Sequence, residues 1–253
     1  MVAISAFCLL AYAVGSVTVG VRLLLRARAT RGVPELLAGL TYVCAPGLGY
    51  PMQVVGAQLP TRELAVPLNV TGECLVVFGC SCFLFFTVKV FRPGARWARW
   101  SAGLGTLALV CAGVVSDHAV ITYSDPAEIL AHTRPPLATV LTVLALAWGW
   151  TALEGLRYYR MMRKRMALGL ADAVVTNRFL LWGLNGLTSV GWVSVSVIVF
   201  LAGGNLATSP LVVSTTSGGG FANTIFLLLI FMPPAAYTRW IERSARSAQL
   251  ATA

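Results

Sequence analysis

The feature that most constrains this chain is a succession of apolar runs, each about 20 residues long, parted by short stretches that are alternately rich and poor in basic residues. A run of ~20 apolar residues crosses the ~30 Å hydrocarbon core of a bilayer as a helix. Only helices and closed barrels can cross it, because every backbone polar group there needs an internal partner. Seven such runs fit into 253 residues, of which 57% are hydrophobic and only 11% charged. The expected fold class is therefore all-α, a polytopic membrane protein with seven transmembrane helices forming one domain over residues 1–253.

The net charge of +10 would suit a nucleic-acid partner only if it formed a basic face on a soluble domain. Here it is cut into clusters between apolar runs, so nucleic acid is excluded and the lipid bilayer is the first partner. Arg22, Arg26, Arg28 and Arg31 follow the first run, and Arg62 alone parts the second and third. Lys89, Arg92, Arg96 and Arg99 part the third and fourth, and Arg134 alone the fourth and fifth. Arg157, Arg160, Arg163, Lys164, Arg165 and Arg178 lie between the fifth and sixth; Arg239, Arg243 and Arg246 follow the seventh. Lys and Arg are retained on the cytoplasmic side during insertion. The N-terminus is therefore expected outside and the C-terminus in the cytoplasm.

The expected spans cover residues 2–25, 32–56, 66–91, 97–115, 136–159, 172–201 and 221–240. The first has no basic residues before its apolar run, so it is expected to be retained and not cleaved. Residues 157–178 are expected to form a cytoplasmic loop, and 203–220 a polar outer loop. A short interfacial helix is expected from Asp125 to His132, where Asp125 and Glu128 have capping-box spacing. The tail, 243–253, is too short for an output domain.

Two stretches recur along the chain. Arg26, Arg28, Gly32 and Glu35 are matched by Arg163, Arg165, Gly169 and Asp172 at an offset of 137, and Phe91, Pro93, Ala95, Trp97, Arg99 and Trp100 by Phe231, Pro233, Ala235, Tyr237, Arg239 and Trp240 at 140. Shared order and spacing point to two parallel three-helix repeats, 1–100 and 136–242, joined by a linker helix at 97–119. This 3+1+3 plan resembles that of the sugar-efflux and PQ-loop transporters, and is similar to repeats proposed for microbial opsins. The resemblance is one of architecture: the Pro-Gln dipeptide is absent, Pro51, Met52, Gln53 being the nearest sequence. A retinal cofactor is excluded, because the last helix has no Lys; the two lysines are Lys89 and Lys164. No cofactor is expected.

In repeat-built transporters, paired helix interruptions mark the ligand site, since unwound backbone presents polar groups to a ligand. Pro46, Gly47, Gly49 and Pro51 in the second span, and Gly183 and Gly186 in the sixth, are expected to form such breaks near the midplane. Tyr50, Gln53, Asn185, Thr188 and Ser189 would line the cavity between them, with Trp148, Trp150, Trp182 and Trp192 as walls. Glu73 joins them as an intramembrane acid with no basic residue at its level. Glu154 is expected to pair with Arg157, three residues on.

Asp117, His118, Asp125, Glu128 and His132 are the metal-capable side chains of the outer stretch 117–135, but no two His have ligand spacing and no metal is expected. The six cysteines fall inside the spans as small packing residues. No nucleophile, base and metal set appears, so no enzymatic activity is expected. A receptor-like sensor is the leading expectation. It would bind a small molecule near the midplane and act through a cytoplasmic signalling partner docked on Arg157, Arg160, Arg163, Lys164 and Arg165. A facilitative transporter is the alternative, and an intramembrane enzyme the third class. Seventeen Arg against two Lys hint at a GC-rich bacterial source and hence the inner membrane.

Overall fold

The computed structural model describes residues 2–204, 206 and 209–250, which are helical with no strand among them. The elements are α1 (Val2–Thr30), α2 (Val33–Tyr42), a π-helical stretch (Val43–Gly49), α3 (Tyr50–Gly56), α4 (Arg62–Phe91), α5 (Arg96–Thr122), α6 (Pro126–Ala167), α7 (Ala173–Leu201), α8 (Pro210–Phe231) and α9 (Ala235–Leu250). Six of them, α1 and α4 to α8, are long and apolar enough to cross a membrane. Residues 33–56 form a further continuous helical stretch.

Segments adjacent in sequence pack together. Helix α1 lies on α2 and the π stretch, these on α4, and so on through α5, α6, α7 and α8, which returns to α1. The result is a closed ring. Lipid tails are as apolar as Leu, so such rings are held by close packing where side chains are small. A Cβ on Gly186 would come within 2.8 Å of the Ala152 backbone, and one on Gly79 within 2.7 Å of the Ala45 backbone. Large apolar side chains, including Phe7, Leu10, Leu104, Leu107, Leu146 and Leu153, face outward.

Several expected boundaries are corrected, most of them because the helices outrun the apolar runs. Most of the 157–178 stretch is helix, because α6 continues to Ala167 and α7 begins at Ala173. Arg, Lys, Met and Ala are strong helix formers, so basic charge ends the hydrophobic run without ending the helix. The short helix expected at Asp125 is the first turn of α6 itself, capped where the Asp125 carboxylate accepts from the Ala127 N–H at 3.2 Å. At 42 residues and ~1.5 Å per residue, α6 is about twice as long as the hydrocarbon core is thick. Much of the expected loop 203–220 is likewise helix, because α8 begins at Pro210, where Pro suits a first turn.

The expected final span 221–240 is two helices. Helix α8 stops at Phe231 and α9 starts at Ala235, with Met232 at φ −137°, ψ 51°. Arg92, after α4, has the same φ −137° and ψ 51°, so the two joints share one geometry. The starts of α2 and α7 fall where expected, but their register differs from the sequence match. Gly32 and Asp172 are the residues before them, an offset of 140, whereas the sequence match had set Gly32 against Gly169. Asp172 caps α7 by accepting from the Val175 N–H at 2.8 Å, while Glu35 lies inside the first turn of α2.

Candidate functional site

Of the two expected helix breaks, one is present in altered form and the other is not. Residues 43–49 are not unwound; they turn as a π-helix, and the Tyr50 N–H bonds back to the Ala45 carbonyl, five residues earlier. Pro46 has no N–H and its ring crowds the preceding turn, which a wider turn accommodates. Gly47 and Gly49 permit this, since a Cβ on Gly49 would meet the Gly72 carbonyl at 2.7 Å. Pro51 falls in the first turn of α3, where no N–H is needed. Helix α7 is unbroken from Ala173 to Leu201. Gly183 and Gly186 are packing positions against Leu156 and Ala152 of α6.

The π turn sets the direction of the residues after it. Gln53 lands against α4, where its Nε2 donates to the Glu73 carboxylate. Asp117 lies within electrostatic range of Glu73, and the Cys74 thiol donates to Asp117 at 3.9 Å. Tyr50, three residues before Gln53, is half-buried.

On the opposite wall, the Asn223 Nδ2 of α8 donates to Ser189 Oγ of α7 at 2.9 Å, and Ser189 Oγ donates to the Asn185 carbonyl at 2.9 Å. Asn185 is 1% exposed, yet among the described residues neither its Oδ1 nor its Nδ2 has a partner. Asn223 Oδ1 and Ser16 Oγ are also buried and unpartnered. Tyr12 of α1 connects the two walls, lying beside Asn223 on one side and within electrostatic range of Tyr50 and Cys80 on the other. Each buried polar group left unpaired costs about 1–3 kcal/mol.

Toward the end of the bundle where the basic residues gather, polar gives way to aromatic. Trp148 lies 4.2 Å from Phe83, Phe83 lies 6.3 Å from Phe86, and Phe86 lies 5.2 Å from Trp182. Trp182 meets Phe231 edge-on at 5.9 Å, and Phe231 meets Tyr42 at 6.5 Å. Six rings from five segments thus cross the ring interior. Two of the expected walls, Trp148 and Trp182, are in this floor. Trp150 instead packs on Trp97, and Trp192 against Gly219 of α8. Thr188 is half-buried next to Ser189.

Below the floor, Glu154 is corrected: its partner is Arg92 at 2.6 Å, not Arg157. Tyr158 OH donates to the Phe91 carbonyl nearby. Arg157, Arg160, Arg163, Lys164 and Arg165 are exposed along the helical end of α6. At the other end of the bundle, Arg62 donates to the carbonyls of Val120 and Ile121, both at 2.9 Å, and Arg134 to that of Phe200 at 3.3 Å. Each satisfies the last carbonyls of a neighbouring helix. Among the described residues no three His, Cys, Asp or Glu side chains converge as for a metal. His118 lies by Thr122, and His132 stacks on Tyr123 at 4.2 Å.

Sequence reasoning singled out Gln53, Glu73, Asn185 and Ser189, and the structure joins them in two hydrogen-bonded groups. It missed Tyr12, Ser16 and Asn223, polar residues within apolar runs. No known protein family, curated protein or solved structure matches the chain.

Proposed function

We propose that the chain is a receptor-like sensor of seven membrane spans that holds a small polar molecule in the polar seam between α1, α3, α4, α7 and α8. Residues 33–56 are the seventh span. The basic end is cytoplasmic, with the N-terminus outside, and the bacterial inner membrane is the expected location. The alternation of basic residues supports this orientation, with Arg62 and Arg134 at the opposite end each occupied in capping a helix. The shared joint geometry at Arg92 and Met232 supports two three-helix repeats. An offset of 140 also sets Tyr42 against Trp182, both buried and both against Phe231.

The observation that carries the binding reading is Asn185, fully buried with both amide atoms unpartnered. A ligand with donors and acceptors would repay that cost. The aromatic floor favours a sensor, because six packed rings lie between the seam and the cytoplasm. Displacement of that floor would move α6, whose exposed basic end is the docking surface for a partner. The π turn at Pro46 favours a second reading, facilitated transport, because such turns are points of rearrangement.

The test is ligand-dependent thermal stability against a metabolite library, in wild type and Asn185→Leu. A compound bound only to the folded state raises the melting temperature, and the shift is expected to vanish in the variant. Failure of every compound to shift the wild type would overturn the binding reading. Flux of an identified compound into liposomes would replace the sensor by the transporter.

A further inference from the structure

A second feature lies at the basic end, away from the seam. The turn between α1 and α2 leaves a groove of about 370 Å³ on the outer surface of the bundle, lined by Leu24, Ala27, Arg28, Arg31, Val33 and Leu36 around Gly32. Its composition is divided. Val33 and Leu36 are 48% and 44% exposed apolar side chains, while Arg28 and Arg31 stand at the rim. Neither guanidinium has an ion-pair or hydrogen-bond partner among the described residues. The acid close by is Glu35, whose carboxylate lies against Gly32 in the first turn of α2. Two cations thus face one anion.

The backbone adds an independent observation. Arg31 is the one non-glycine residue with positive φ, 54°, among the described residues. That conformation is unfavourable for an L side chain. At the comparable turn after α6, the positive φ of 69° belongs to Gly169, where it costs nothing. An arginine kept at a position that glycine would fill better indicates a use for its side chain.

Basic grooves between membrane helices at the cytoplasmic headgroup level fit anionic lipid headgroups. We propose that this groove binds an anionic phospholipid, with its phosphate between Arg28 and Arg31 and the first carbons of its acyl chains on Leu24, Val33 and Leu36. Charge complementarity selects an anionic headgroup over a zwitterionic one. The apolar wall, continuous with the lipid-facing surface of α1, selects a lipid over a soluble anion. The site is separate from the polar seam, so it stands whether or not that seam binds anything.

The experiment titrates the purified detergent-solubilised protein with phosphatidylglycerol and with phosphatidylcholine of the same chains, counting bound lipids by native mass spectrometry and following the melting temperature. Wild type is expected to retain phosphatidylglycerol about tenfold more tightly. In Arg28→Gln with Arg31→Gln the preference falls to about twofold or less. The same charge change in Arg96→Gln with Arg99→Gln leaves it intact. Arg31→Gly guards against misfolding: it is expected to melt no lower than wild type without lipid, yet to lose most of the preference. Equal retention of the two lipids by wild type would overturn the proposal, as would equal loss in the Arg96 and Arg99 variant. Competition by millimolar inorganic phosphate would replace the lipid by a free anion.

Discussion

Residues 33–56 and helix α7 each pack between two long helices of the ring and respond differently to small residues. The first contains Pro46 followed by Gly47 and Gly49 and winds as a π-helix; the second contains Gly183, Gly186 and Gly191 and stays α-helical. Glycine removes a side chain and lets a neighbour approach, which α7 uses against α6. Proline removes a hydrogen bond and adds a clash, which the chain absorbs by widening the turn. A cluster of glycines is therefore a packing signal, and the change of winding falls at the proline that precedes two of them, whereas Pro67 of α4 and Pro135 and Pro136 of α6 lie within α-helix. The consequence reaches the site, because Tyr50 and Gln53 follow the wide turn and owe their direction to it.

The largest effect is expected from moving the proline. Gly186→Pro places one in the middle of α7, a helix with no wide turn, and should cost about 3 kcal/mol or more of stability in chemical denaturation. A cost below about 1 kcal/mol would mean that α7 widens as readily as residues 43–49, and the contrast would fail. Gln53→Leu comes next. It strips the Glu73 carboxyl of its partner and should cost about 2 kcal/mol, whereas the double change with Glu73→Leu should recover most of that loss.

Asn185→Leu has the opposite sign. It replaces an unpartnered buried amide by an apolar side chain of similar size, and is expected to raise stability by about 1 kcal/mol in the absence of ligand. A comparable loss would show that the amide is already satisfied. Pro46→Ala should change stability by less than about 1 kcal/mol, because the wide turn already accommodates the ring. The smallest effect is that of Gly191→Leu. Nothing lies within 4 Å of a Cβ there, so melting should stay within about 0.5 kcal/mol of wild type.

The membrane-spanning helices were legible from the sequence because a bilayer reads average apolarity over ~20 residues, and that average is a property of composition alone. Their ends were less legible. Arg163, Lys164 and Arg165 mark where the apolar run stops, but the α6 backbone continues through them, as charge and helix propensity are separate properties. Glu154 was matched to Arg157 by sequence distance, while its partner Arg92 comes from the end of α4, beyond α5 in the folded ring. The same limit applied to the site. Gln53, Glu73, Asn185 and Ser189 stood out individually, but Tyr12 and Asn223, which join them, acquire meaning only through the packing of α1 on α8.

The two arginines that cap neighbouring helices carry a consequence for the order of assembly. Arg62 opens α4 and reaches the end of α5; Arg134 lies near the start of α6 and reaches the end of α7. Each contact joins two helices made one after the other. As the chain leaves the ribosome, each latch can fasten once the second helix of its pair is in place, the first well before α8 and the second just before α8 is made to close the ring on α1. The bundle is thus divided into hairpins that can be secured singly, and the closure between first and last helices is left as the final, separate event.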